Sequence, residues 1–531
     1  METLDRAQVD TQARPDCGDY IQAMSRCRTT RLLIGSLIGS IALVAAGCSS
    51  GPTHEGNPER SQQSEVQGSL SWAPCDKGEL ESLECATVQV PLDHAQPGEE
   101  ISLALTRRKH TDPANYGGVV IAHPGGPGSS GLALPNSAEF IAPKIVGRYD
   151  WIGIAPRGVA PSTPQLSCAA LAETGGVEES PYRPADAADI AARRTQAEKI
   201  AASCEESEGA TLLPHLHTTD LAEDVESVRA ALGVETFTFW GSSYGTMVGQ
   251  VYATRYPERL DRMLLDSVVN AKTPWYNANV EQNLASEPAL RVFLDWVAKG
   301  DSKFGLGKDA AAIQKQFVAK VEELSAQQRA GGKVRANQLT DAAAAASRTI
   351  SEWPVTAAAF SEVLVKKEMR FVSQPVEPRD PNMSSVYLGV LCSETRWPAF
   401  EQMVADATRD YPKAPLLTWR NTWGNAPCAF WPEKAQAAPE VDGSRLDVPV
   451  LLVNEEFDPA TLYQDAVATR SLFPSSRLLK GEGGNTHTSV VGGAPCVQEG
   501  VAQLFDDSLP PRATGSDHDI TCPRADPPPL S

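Results

Sequence analysis

The chain predicts an α/β fold: a mostly parallel, twisted sheet with helices on both faces, interrupted by a largely helical inserted domain. Short β-type apolar runs, bounded by glycine-rich or acidic turns, supply the strands. One of them, Phe237 to Trp240, meets Gly241-Ser242-Ser243-Tyr244-Gly245, and a helix-patterned segment continues to about Tyr256. From about Ala271 to Leu446 the pattern turns helical, with Ala-rich runs at Ala310 to Val321, Leu339 to Ile350 and Trp353 to Leu364.

The strand–turn–helix at 237–256 explains the spelling of its turn. A serine on so sharp a bend sits in strained φ/ψ with its hydroxyl thrust outward. Small residues two positions to either side let strand and helix approach. Ser243 is the candidate nucleophile, and Ser242 is its neighbour. A nucleophilic serine needs a base, an orienting carboxylate and an oxyanion hole. Upstream, the buried-strand run Gly117 to Ala122 ends in His123-Pro124-Gly125-Gly126-Pro127-Gly128. Such a loop can present the backbone N–H of Gly125 or Gly126 to an oxyanion, joined by the N–H of Tyr244. Downstream, the strand Val448 to Asn454 is followed by Glu455-Glu456-Phe457-Asp458-Pro459. Asp458 is preferred to Glu455 and Glu456 as the acid because it lies far enough beyond the strand to reach the base. The next strand candidate, Arg477 to Leu479, leads through Gly481-Glu482-Gly483-Gly484-Asn485-Thr486 to His487, the candidate base. Ser, Asp and His each follow a strand's C-terminal end, the edge where open α/β sheets place their sites.

Other polar residues have plainer readings. His123 begins the glycine-rich loop and is expected to brace it. His215 and His217, near Asp220, Glu223 and Asp224, match no standard ligand spacing, so no metal is expected. Thr461, three residues after Asp458, either tunes the catalytic group or caps its own loop. No cofactor is implied.

Over roughly residues 70 to 525 the chain resembles the tripeptidyl-aminopeptidase branch of the α/β-hydrolases, related to prolyl aminopeptidases. The resemblance rests on His123 to Gly128, Arg157-Gly158 after Asp150-Trp151-Ile152-Gly153, Thr218 to Asp224, Gly241 to Thr246, Leu264-Leu265-Asp266 and Phe457-Asp458-Pro459-Ala460-Thr461. It implies an α/β-hydrolase fold with a helical cap and a serine exopeptidase acting on free N-termini. Two departures stand out. Ala155-Pro156 precede Arg157 where relatives usually carry an acidic residue, which is expected to remove a structural ion pair. Thr486 stands where glycine usually precedes the histidine, which is expected to alter access to the base.

The organisation expected is a leader over 1–47, a polar tether over 48–69, a catalytic domain over 70–270 and 447–525, a cap over 271–446 and a tail over 526–531. Leu32 to Ala46 is apolar, follows Arg26, Arg28 and Arg31, and ends in Val44-Ala45-Ala46-Gly47-Cys48. A run of about fifteen residues is too short to span a bilayer comfortably, and its small-residue ending fits a cleaved signal peptide. Small residues before a cysteine look like a bacterial lipobox, with Cys48 lipidated and anchoring the chain to the outer face of the cytoplasmic membrane. Met1 to Ala23 is long for a leader, and Met24 is the expected start. Of eleven cysteines, Cys17 and Cys27 go with the leader and Cys48 takes the lipid. The remaining Cys75, Cys85, Cys168, Cys204, Cys392, Cys428, Cys496 and Cys522 suggest four disulfides in an oxidising compartment. Chain proximity favours 75–85, 168–204, 392–428 and 496–522, although spacing leaves connectivity open.

Residues 1–47 carry five basic and five acidic side chains, so their removal keeps the net charge at −20. Such acidity argues against nucleic-acid partners and a polybasic membrane patch. About 480 remaining residues exceed one simple core. Within the cap, Leu391 to Trp397 places Glu394 beside a cysteine. An aminopeptidase must pair the substrate's α-ammonium with a carboxylate, and Glu394 is the candidate; the alternative is a surface glutamate on a helix. Two rival functions remain: an envelope carboxylesterase or lipase, which shares every catalytic residue and differs only in the cap, and a non-catalytic envelope-binding lipoprotein, against which the intact Ser, Asp and His argue.

Overall fold

The computed structural model describes residues 69–530 apart from 77, 174–179, 376–379, 434, 436 and 493. The leader, Cys48 and most of the tether therefore lie outside the described residues. Ten strands form one sheet: β1 (Ala73–Pro74), β2 (Glu84–Pro91), β3 (Glu100–Arg108), β4 (Gly118–His123), β5 (Tyr149–Ile154), β6 (Phe237–Ser242), β7 (Leu260–Asp266), β8 (Val450–Glu455), β9 (Ser476–Glu482) and β10 (Ile520–Pro523). Their order is β1-β2-β3-β5-β4-β6-β7-β8-β9-β10. From β5 to β10 every neighbouring pair is parallel, while β1 to β3 form an antiparallel edge. The central strands β4, β5, β6 and β8 are buried along their whole length, as parallel strands covered on both faces require. One face packs Val225, Val228, Met247, Val251 and Tyr252 from the helices Thr218–Leu232 and Tyr244–Arg255. The other packs Leu134, Ile141, Val501 and Phe505 from Leu134–Ile141 and Pro495–Phe505. This is the α/β-hydrolase fold. The chain reverses direction across the sheet at β4, which puts the C-terminal ends of β4 and β6 at a crevice.

Between β7 and β8 the described residues form helices without strands, beginning with Trp275–Lys299. They enclose a core of their own around Phe293, Trp296, Phe317, Trp353 and Phe360. The expected boundary at 271 is incomplete, because helix Ala187–Glu205, before β6, also packs on the cap. Ala197 and Tyr182 share a cluster with Phe400, Trp419 and Trp423, and Trp423 Nε1 donates to the Tyr182 carbonyl at 2.6 Å. The expected tail is docked: Trp296 Nε1 donates to the Pro528 carbonyl at 3.0 Å, and Leu530 packs against the cap core. Disulfides join Cys75–Cys85, Cys168–Cys204, Cys392–Cys428 and Cys496–Cys522, the pairing that chain proximity favours.

Candidate active site

Ser243 stands between β6 and the helix Tyr244–Arg255 at φ 53° and ψ −122°. A non-glycine residue pays for that conformation, and neighbours must hold it there. The flanking glycines allow the approach. A Cβ on Gly245 would lie 2.4 Å from the His123 carbonyl oxygen, and one on Gly241 would lie 2.5 Å from the Gly245 oxygen. The Ser243 N–H donates to the Asp266 carbonyl at 2.8 Å, which ties the bend to the end of β7.

Beyond the sheet edge the loops after β8 and β9 converge on that serine. His487 Nε2 lies 2.9 Å from Ser243 Oγ, and His487 Nδ1 lies 2.9 Å from Asp458 Oδ2 and 3.1 Å from Oδ1. Asp458 also accepts from the N–H groups of Ala460 (2.8 Å) and Thr461 (3.2 Å) and from Thr461 Oγ1 (2.9 Å). Burial alone pushes this carboxyl up, but the imidazole and these donors outweigh it and hold the group below its usual range. Thr461, expected either to tune the catalytic group or to cap its own loop, thus gives both its N–H and its hydroxyl to the acid.

Glu455 and Glu456, the competing acids, go elsewhere. Glu455 is buried, accepts the Thr486 N–H at 3.2 Å, and is pushed up to about 8, mainly by burial. Glu456 pairs with Lys480 at 2.9 Å. Thr486 is held by that bond and is itself buried.

Of the two candidate oxyanion glycines, Gly125 lies directly against the serine: a Cβ there would sit 2.8 Å from Ser243 Cβ. The missing Cβ of Gly126 instead faces the Gly128 nitrogen at 2.9 Å. His123 is buried, its Nδ1 is 3.1 Å from the Pro124 carbonyl, and burial lowers its pKa to about 4. A neutral ring therefore braces the loop. The expectation for Arg157 needs correcting, since it does not lack an ion pair. The side chain is fully buried and donates to Asp224 through Nε (2.7 Å) and Nη2 (2.6 Å). Asp224 comes from helix Thr218–Leu232, so a distant carboxylate fills the place of a local one. His215 offers only its carbonyl to Arg157, and the His217 N–H donates to Asp220. No metal-binding group of three or more His, Cys, Asp or Glu occurs among the described residues.

Glu394 is not the surface glutamate of the alternative reading. It ends helix Pro381–Glu394 at 2 % exposure, with Oε2 accepting from Thr218 Oγ1 at 2.7 Å and Oε1 from the Thr218 N–H at 3.3 Å. The same Thr218 hydroxyl is 2.9 Å from the Tyr244 hydroxyl, one residue from the nucleophile. Burial pushes Glu394 up to about 7 against the hydrogen bonds from Thr218. Sequence reasoning missed Trp275, the first cap residue to reach the site, whose ring centroid lies 5.9 Å from that of Tyr244. It also passed over Asn485 within the histidine loop.

A family model described as TAP-like protein matches residues 414–522. Tripeptidyl aminopeptidase of Streptomyces coelicolor is 34% identical over 485 residues, 87% of this chain and 88% of that protein. Serine protease Hip1 of Mycobacterium tuberculosis is 26% identical over 509 residues, 90% of this chain and 96% of its own length. A protein named carboxylesterase B, also from Mycobacterium tuberculosis, is 27% identical over 506 residues, again 90% and 96%. With the elbow serine, its facing histidine and the parallel sheet in place, the chain belongs to the tripeptidyl aminopeptidase family of α/β-hydrolases and is a serine peptidase.

Proposed function

We propose that this protein is an exopeptidase releasing short N-terminal peptides, tripeptidyl-aminopeptidase-like, through a covalent acyl-enzyme. The observation that carries the reading is the hydrogen-bonded series Ser243–His487–Asp458, with a buried carboxyl, Glu394, two hydrogen bonds from the Tyr244 hydroxyl. His487 Nε2 takes the proton of Ser243 as Oγ attacks the scissile carbonyl carbon. The N–H of Tyr244 and that of Gly125 or Gly126 receive the oxyanion. Losing one such donor costs about 10²–10³ in turnover. Asp458 fixes the imidazole tautomer and stabilises the imidazolium, with Thr461 holding the carboxylate. Collapse breaks the C–N bond, and His487 passes the proton to the leaving amine. Water, deprotonated by His487, then releases the peptide and restores Ser243.

Glu394 pairs the substrate's α-ammonium. Its hydrogen-bond partners, Thr218 and Trp275, carry no positive charge, and a buried carboxylate without a cation is costly. An incoming ammonium supplies the missing counter-charge. We further propose export and lipid anchoring at Cys48; four disulfides support an oxidising compartment. The likeness to carboxylesterase B keeps esterase activity as the second reading.

The test compares the protein truncated at Cys48 with its Ser243→Ala variant on matched peptides, free or acetylated at the N-terminus, read by mass spectrometry. Release of a short N-terminal fragment from free peptides alone, lost in the variant, supports the exopeptidase. Turnover of acyl esters with no peptide cleavage supports the esterase.

A further inference from the structure

The histidine loop is fastened to the cap. Helix Ala336–Arg348 ends against it, and the last carbonyls of a helix have no partner within the helix. Two groups of the loop meet them. The His487 N–H donates to the Arg348 carbonyl at 2.7 Å. The Asn485 side chain, 1 % exposed, aims Nδ2 at the carbonyls of Ser347 (3.1 Å) and Ala346 (3.3 Å), and of Ala289 on helix Trp275–Lys299 (3.4 Å). Three carbonyl oxygens around one group demand a donor, so the amide orientation is fixed by its surroundings. The other catalytic loops rest on the cap in the same way. Gln282 Nε2 donates to the Ala460 carbonyl at 2.7 Å, two residues from Asp458. A Cβ on Gly128 would lie 2.4 Å from the Met383 carbonyl.

We infer that Asn485 is a positioning residue: its amide holds the base loop on the end of one cap helix and the middle of a second, and so sets His487 against Ser243. The cap is then a working part of the catalytic geometry. Asn485 touches neither reacting atoms nor substrate. It acts through the backbone two residues before the base, where an error of about 1 Å can cost 10²-fold. This rests on the serine-peptidase roles given above to Ser243 and His487.

The experiment compares wild type, Asn485→Ala, Asn485→Asp, Trp353→Phe and Ser243→Ala in peptide hydrolysis, fluorophosphonate labelling and thermal unfolding. Trp353 Nε1 donates to the same Ala346 carbonyl at 2.9 Å while its ring packs against Phe293 and Trp296 of the cap core, so Trp353→Phe loosens that helix end without removing the Asn485 amide. The expected result is a 10- to 100-fold fall in kcat for both Asn485 variants, with KM within about twofold and labelling slowed in parallel. Trp353→Phe should lose stability and keep kcat. Wild-type kcat in folded Asn485→Ala, or equal kcat losses in Asn485→Ala and Trp353→Phe at equal loss of stability, overturns the inference. Should Ser243→Ala keep both activity and labelling, the underlying serine-peptidase assignment fails instead, and this inference with it.

Discussion

Replacing Glu394 by glutamine tests amine recognition with little structural disturbance. The Gln carbonyl can accept from Thr218, and the amide stands in for the acid O–H, so the variant mimics the protonated wild type. What it loses is the charge. A hydrogen bond to a charged partner contributes about 1.5–3 kcal/mol, which is roughly 10- to 150-fold in kcat/KM. The ratio of kcat/KM for free over acetylated peptides should fall by that factor, while the acetylated substrate alone is unaffected. The pH dependence follows from the two groups that must be charged together. Glu394 ionises near 7 in the free enzyme, and a peptide α-amino group loses its proton near 8. Selectivity for free N-termini should therefore peak between about 7 and 8, and fall about tenfold per unit on the acid side as Glu394 is protonated. In Glu394→Gln the acid limb should vanish. Kinetics on the matched peptides from pH 5.5 to 9 read both effects. A variant with the wild-type ratio and an unchanged acid limb would refute the pairing and leave Glu394 as a brace for Thr218 and Tyr244.

Two further outcomes concern stability. Glu455, held near 8 when folded against about 4.5 in a free chain, binds more protons folded than unfolded, so stability falls as pH rises between those values. His123, with its lowered pKa, opposes this only below about 6.5. Between pH 6.5 and 8 Glu455 should account for roughly 2 kcal/mol of loss, beside that from other carboxyls raised by burial, Glu394 and Asp266 among them, so the fall in Tm should become shallower in Glu455→Gln. Asp224→Ala should cost about 3–5 kcal/mol in urea unfolding, because it strands the buried Arg157 guanidinium; a loss below 1 kcal/mol would mean that water or His94, whose Nε2 lies 3.0 Å from Arg157 Nη2, replaces the carboxylate.

The catalytic spelling was legible because backbone geometry dictates it. Gly241, Gly245 and Gly125 are written where a Cβ would strike backbone or the serine itself within 2.8 Å, and acid and base lie in loops directly after strands. The helical insertion was legible from its periodicity. What sequence did not show depends on contacts between distant segments. Nothing local tells that Asp224 finds Arg157 across 67 positions, that helix Ala187–Glu205 lies on the cap, or that Pro528 and Leu530 dock on it. The strand β10 has four residues and no run of hydrophobic alternation. Asn485 stood in plain view in the histidine loop, yet its partners are main-chain carbonyls, which no side-chain pattern advertises.

The same dependence on surroundings decides which of three clustered acids carries charge. Asp266, Glu455 and Asp458 lie at the ends of β7 and β8, all buried, and burial raises each of them. Asp458 meets an imidazole and three further donor groups. Glu455 meets the Thr486 N–H. Asp266 meets the backbone N–H groups of Val490, at 3.2 Å, and of Ser489. Hydrogen-bond supply therefore selects Asp458 as the ionised member, and its charge in turn raises the other two. Keeping those neighbours neutral confines the negative charge to the carboxylate that touches His487. The imidazolium formed as Ser243 attacks is then stabilised from one direction, along the Nδ1–H bond, with Nε2 left aimed at the serine.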